Sequence, residues 1–223
     1  MAMPVRSVLD RMLNNMRNNI LRLTSMVDAA IEQAMLALST RDVSLAQSVI
    51  VNDKQINDLR YEIEEEAFRI LATQQPAAGD LRAIIAAIHL AVELERIGDH
   101  AAGIARLVAR LEGEENIDTL HKLPKMAKRA RKMIQEAIQA YLDRDAERAQ
   151  ALFKRDAKID NMYNKLFAET LAEMRDEHYV RRATFLLWAG HNLERMGDRA
   201  TNIAERVIFM ITGQFTETVD DLD

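Results

Sequence analysis

A six-residue string occurs twice in this chain. Leu94-Glu95-Arg96-Ile97-Gly98-Asp99 returns 99 positions later as Leu193-Glu194-Arg195-Met196-Gly197-Asp198. Each copy lies in a long run of apolar residues at three- and four-residue steps, the period of an α-helix. The chain must therefore fold as two similar helical units. A Glu and an Asp four apart on a helix are neighbours about 5–6 Å apart at Cβ. Each string is thus also an acidic pair, and paired carboxylates repel unless positive charge stands beside them.

The composition agrees with helix. Among 223 residues there are only seven Gly and three Pro, and aromatics make up 5%. The absence of Cys excludes disulfides and thiolate metal sites, leaving oxygen and imidazole as ligands. A net charge of −5 weighs against general nucleic-acid binding. The start, MAMPVRSVLD, shows no apolar secretory signal. The longest apolar stretch, Ala83 to Ala91, is interrupted by His89. It falls well short of the roughly 20 residues that span a bilayer. The expectation is a cytoplasmic protein.

Breaks in the pattern set the boundaries. The first helix follows Pro4 and carries Leu9, Met12, Leu13, Met16, Ile20, Leu23, Val27, Ile31 and Met35 on one face. Arg41-Asp42 ends it. A second helix runs from about Ser44 to Ala72, up to the break Gln74-Gln75-Pro76-Ala77-Ala78-Gly79. Asp80 is the expected cap of a third helix, which reaches Leu111 before Gly113 stops it. Pro124 opens the next helix, and Arg144-Asp145 repeats the earlier Arg-Asp turn. The last helix runs from about Tyr179 to Met210, ahead of Gly213. The expected fold is all-α, with two tandem duplicated three-helix bundles and six long helices. The first unit covers 1–113, a linker 114–123, the second unit 124–213 and an acidic tail 214–223.

At 100° per residue the last helix sorts into strips. Leu186, Ala189, Leu193, Met196, Ala200, Ile203, Val207 and Met210 form a packing seam. Glu194 and Asp198 stand on the next strip with His191, Asn202 and Glu205, and Arg195, Arg199 and Arg206 lie further towards solvent. A solvated face would explain one such stripe, with Arg195 pairing to Asp198. It does not explain why both copies keep the acids and the glycine. Gly in mid-helix costs about 1 kcal/mol relative to Ala, which points to close packing of a neighbouring helix beside the acids.

That neighbour brings acids of its own. Asp156 and Asp160 share one face early in the fifth helix. In the first half Asp53 corresponds to Asp156, but Asn57 replaces the second acid. If the second and third helices of a unit run antiparallel, Asp156 and Asp160 meet Glu194 and Asp198. Four carboxylates suit a hard cation or a small cluster: magnesium, manganese or iron, with zinc a weaker fit.

These residues resemble the PhoU family of phosphate-signalling proteins. The likeness rests on Glu95-Arg96-Ile97-Gly98-Asp99-His100-Ala101 and on the run from Glu194 to Glu205, and it covers nearly the whole chain. It implies two three-helix bundles side by side and no catalytic activity. It implies a negative regulator of the phosphate regulon and of phosphate uptake. Such a protein acts on the sensor histidine kinase and the phosphate ABC transporter, associated peripherally with these inner-membrane complexes. A homodimer fits the likeness, with no direct signal in the sequence. Carried over by motif, the metal positions are Glu194, Asp198, Asp156 and Asp160 in the second half and Glu95, Asp99 and Asp53 in the first. Asn202, Glu205 and His191 are further candidates on the same strip. The first half departs from the pattern, with Gly103 for Asn202, Arg106 for Glu205, and Asn57 for an acid. The second site is therefore expected to bind metal more tightly, Arg106 supplying part of the missing charge in the first.

Two other functions fit parts of the pattern: a metal-storage or metal-handling protein, and a helical adaptor of another membrane complex. A ferritin-like di-iron site needs Glu-x-x-His, and no His here has Glu three residues before it. Lys122, Lys125, Lys128, Arg129, Arg131 and Lys132 form a basic run. It reads as a solvated face, or as a contact for an acidic partner or anionic lipid headgroups. His100 reads as polar surface, because Arg199 is its counterpart.

Overall fold

The computed structural model describes residues 5–111 and 122–214. The described residues form six long helices and one short one: α1 (Val5–Thr40), α2 (Val43–Gln74), α3 (Ala78–Arg110), α4 (Leu123–Asp143), α5 (Ala146–Gln150), α6 (Phe153–Glu173) and α7 (Val180–Thr212). A 3-10 turn, Glu177–Tyr179, precedes α7. Helices α1, α2 and α3 pack on one another as one bundle, and α4, α6 and α7 as the second. The expected all-α tandem architecture is what forms. The proposed linker, apart from its last two residues, and the acidic tail beyond Gln214 lie outside the described residues, as does Gly113.

The repeated Arg-Asp turn has a backbone reason. Arg41 and Arg144 both sit in the left-handed region, at φ 58° and 53°. That conformation ends the helix and re-aims the chain. The aspartate after each arginine then caps the next helix: Asp42 accepts from the Leu45 N–H and Asp145 from the Arg148 N–H, both at 2.9 Å. Two expectations are corrected. Helix α3 begins at Ala78, so Asp80 lies in its first turn, where it favours the positive helix end without capping it. The fifth helix is interrupted at Ala151 and Leu152, giving α5 and α6 where the first repeat has continuous α2.

All eight seam residues of α7 are buried. So is the apolar face of α1, apart from Met12 and Leu13, which are half-buried. One continuous core runs through both repeats because α3 and α7 lie against each other. The two helices are antiparallel and related by a pseudo-twofold. Arg82, near the start of α3, donates to the Met210 carbonyl at the end of α7 (3.2 Å). Arg181, near the start of α7, donates to the Arg110 carbonyl at the end of α3 (3.4 Å). Further along, Glu93 accepts from Arg199 (3.4 Å) and Asn202 (3.2 Å). The symmetry-related position holds a neutral pair, Asn192 Oδ1 and His100 Nδ1, 3.0 Å apart. Since Oδ1 only accepts, Nδ1 carries the proton. His100 is therefore half-buried at the repeat junction and is not the surface residue its sequence neighbours suggested. A second junction joins α4 to α1, where Arg131 makes two 2.7 Å bonds to the Asp28 carboxylate.

Gly103 belongs to this junction. A Cβ there would stand 2.9 Å from Asn192 Oδ1. The Asn192 amide is held at both ends, by His100 and by the Trp188 carbonyl (2.7 Å), so it has little room to move. Gly103→Ala is expected to lower the thermal midpoint, because a clash of about 1–3 kcal/mol outweighs the roughly 1 kcal/mol gained in helix propensity. Gly103→Ala combined with Asn192→Ala should recover most of that loss. An additive double mutant would contradict this account.

Candidate metal centre

Glycine sets the position of the acids. A Cβ on Gly197 would lie 2.8 Å from Asp156 Oδ1 and 3.2 Å from Ile159 Cδ1. A Cβ on Gly98 would lie 3.1 Å from Ile56 Cδ1 and 3.5 Å from Asp53 Oδ1. In each repeat the glycine lets the second helix approach the third, and an aspartate of the second helix rests on the gap. Close packing and acid crowding are therefore one feature.

In the second repeat, oxygens of Asp156, Asp160 and Asp198 all lie within 4.8 Å of one another. Among the described residues this is the one trio of Asp, Glu or His side chains so placed. A point equidistant from three oxygens that far apart is at most about 2.8 Å from each, close to the 2.3–2.6 Å of a hard-cation bond. Small rotamer shifts would close the difference, so the donor set fits a hard cation.

Glu194 stands beside the trio. Burial, then Asp198, then Asp160 push its carboxyl up to about 7 from 4.5. Its Oε2 is fully buried and makes no well-formed hydrogen bond. The nearest nitrogens are His191 Nδ1 at 3.4 Å, on an imidazole that burial and Arg195 hold towards its neutral form, and Arg195 Nε at 3.5 Å. Burial also raises the Asp198 carboxyl, against Arg195 and Arg199, which lower it. Arg195 Nη1 donates to Asp198 Oδ2 at 3.1 Å, so the helix's own arginine supplies part of the compensating charge. Tyr163 of α6 covers the flank, its ring 6.0 Å from that of His191.

The first repeat holds a smaller acidic set. Burial and then Asp99 raise the Asp53 carboxyl, while Arg106 lowers it. Glu95 is raised by burial and Asp99, with Arg60 opposing. Asp53, Glu95 and Asp99 thus share one electrostatic site, and Arg106 bears on it. Asn57 turns its amide to the Asp53 carbonyl of its own helix (3.2 Å). Among the further candidates, His191 is beside Glu194, whereas Asn202 is turned away to Glu93 of the other repeat. Glu205 is half-buried on the same helix. Sequence reasoning placed Arg199 in solvent and missed Glu93. The angle count locates a residue around its own helix but not the neighbour covering that side. Polar residues at matching positions, Glu93 and Asn192, were the available signal.

Two bundles joined through antiparallel central helices, each with acids crowded over a glycine, define an all-α tandem-repeat protein with a cation-type side-chain cluster. The PhoU domain matches residues 20–108 and 123–207. The chain is 36% identical over 217 residues to a phosphate-specific transport system accessory protein PhoU homolog of Clostridium acetobutylicum, covering 96% of this chain and 99% of that one. It is 37% identical over 207 residues to the Pseudomonas aeruginosa homolog, covering 90% and 84%. It matches the crystal structure of PhoU from Pseudomonas aeruginosa with a TM-score of 0.87 and 36% identity, over 92% of this chain and 99% of that one. It also matches the phosphate transport system regulatory protein PhoU from Streptococcus pneumoniae with a TM-score of 0.88 and 30% identity, over 94% and 100%. The chain belongs to the PhoU family.

The crowding has a pH signature. Glu194 has a folded-state pKa of about 7 against 4.5 for the free group. Between those values the folded protein holds a proton that the unfolded chain releases, so stability falls as pH rises from about 4.5 to about 7. In chelator, the denaturant midpoint should drop across that window by on the order of 1–2 kcal/mol in stability, after screening by water. Glu194→Gln should flatten the profile and be the more stable protein at pH 8. A wild-type profile already flat in chelator would show that these acids are not crowded.

Proposed function

We propose that this protein is a non-catalytic regulator that restrains phosphate-responsive gene expression and phosphate uptake. It does so by contacts with the sensor histidine kinase and the phosphate ABC transporter, and hard cations at its acidic clusters fix its shape. Membership of the PhoU family supports the phosphate role, and the relatives' names assign them to phosphate transport as accessory or regulatory proteins. No helix among the described residues is long and apolar enough to cross a membrane, which fits peripheral association. The observation that carries the metal role is the carboxylate trio backed by Gly197.

Asp156 and Asp160 of α6, with Asp198 of α7, would hold the ion, and Glu194 would join once deprotonated. A bound hard cation supplies positive charge that neutralises these acids. Arg195 would be released from Asp198 as the carboxylate turned inward. The ion ties α6 to α7, so occupancy and bundle stability are linked. A few donors at one helix border suit a structural ion better than a store of metal.

Two measurements test this. Deleting the gene should raise phosphate-regulon expression in phosphate-rich medium, and unchanged expression would remove the regulatory role. Calorimetric titration of chelator-stripped protein with manganese should show the tighter site lost in Asp198→Ala and retained in Asp99→Ala. Equal losses from the two substitutions would contradict the ranking of the sites.

A further inference from the structure

The two repeats also differ in charge in the groove between their first two helices. In the second repeat the groove between α4 and α6 holds two adjoining hollows of about 300 and 370 Å³. Arg129, Lys132, Arg155 and Lys158 line the first over Met133. Lys125 and Lys128 join Arg129 and Lys132 around the second, over Met162. All six cations are exposed. The groove's acid, Glu136, is already engaged by Arg155 and, at 3.9 Å, by Lys132. Lys122 pairs with Glu169 at one end.

The first repeat carries the same groove between α1 and α2, where Asp53 joins a lining of Met26, Ala29, Asn52 and Gln55. The last four stand 103 positions before Arg129, Lys132, Arg155 and Lys158, the offset that relates Arg41-Asp42 to Arg144-Asp145. Of the six cationic positions only one is matched by a cation in the first repeat, Lys125 by Arg22, so one geometry exists in a strongly cationic copy and in one without that cluster. A general coat for solubility would not distinguish them, least of all in a chain of net charge −5. Arg131, on the same helix, is excluded from the patch because it bonds Asp28 of the other repeat.

We propose that the α4–α6 face docks on an anionic phospholipid surface, with headgroup phosphates in the two hollows. Exposed, mobile point charges without buried donors hold a single free anion poorly against water. A surface presenting many phosphates engages several of the six at once, and the small gains multiply. Lysine outnumbers arginine four to two here, which suits diffuse attraction better than bidentate recognition of protein carboxylates. The Met133 and Met162 side chains give the hollows an apolar floor. The contact fits a family whose relatives serve a transport system. It needs neither a cation at the acidic clusters nor contact with kinase or transporter.

Co-sedimentation of the full chain with vesicles tests this. The protein should bind vesicles of phosphatidylcholine with about a third phosphatidylglycerol, and not phosphatidylcholine alone. Binding should weaken at least tenfold in Lys125→Glu/Lys128→Glu/Lys132→Glu, and fall steeply with added salt. Lysine-to-glutamine exchange at the same sites should weaken it less, with an unchanged circular dichroism spectrum. Ser25→Glu/Ala29→Glu/Gln55→Glu, in the first-repeat groove, should leave binding intact. The proposal is overturned if the wild type ignores anionic vesicles or if the charge-reversed protein binds as well. It is also overturned if millimolar inorganic phosphate displaces the vesicles, which marks a free-anion site. Binding of an acidic protein surface with no binding to vesicles overturns it equally.

Discussion

The close approach of α6 to α7 over Gly197 is the contact on which the acidic cluster depends. Without a Cβ at that point, Asp156 rests directly on the neighbouring helix, and Asp160, Asp198 and Glu194 gather around it. Burial then removes the water that would otherwise screen the like charges, and the carboxyl groups hold protons more tightly. Arg195 offsets part of the repulsion from the exposed side. The remainder is what a divalent or trivalent ion would neutralise under the proposed function. The first repeat has the same glycine-backed contact with a smaller acidic set and with Arg106 nearby.

The antiparallel α3–α7 pair turns two bundles into one body. Its pseudo-twofold is close in backbone terms, with Arg82 and Arg181 bonding the far ends of each other's helices. Its side chains are not symmetric. A charged cluster, Glu93 with Arg199 and Asn202, answers a neutral one, Asn192 with His100 over Gly103. Duplication has left one scaffold with two different halves: unequal acidic sites, unequal junction pairs, and a groove that is strongly cationic in the second repeat alone. Such a molecule presents two different faces while both halves share one core.

Much of this was legible in the sequence because helix period and duplication are local signals. The eight-residue seam of α7, the Arg-Asp turns and the meeting of Asp156 and Asp160 with Asp198 came from spacing alone. What spacing could not show was which helix covers a given side. Asn202 therefore looked like part of the acidic strip and instead bonds Glu93, and His100 looked exposed and instead bonds Asn192. Both depend on the docking of the repeats, a long-range contact that no helical period encodes. The break at Ala151 and Leu152 likewise lacked a Gly or Pro to announce it. Gly103 was visible as a departure from the second copy, but its cause, the pinned Asn192 amide, was not.

If these acids are crowded because they hold a cation, crystals soaked in manganese will reveal the ion. An anomalous peak is expected within bonding distance of oxygens from Asp156, Asp160 and Asp198, with any peak at Asp53, Glu95 and Asp99 weaker. A map with no peak at the α6–α7 border, from crystals that take up manganese elsewhere, would contradict that reading.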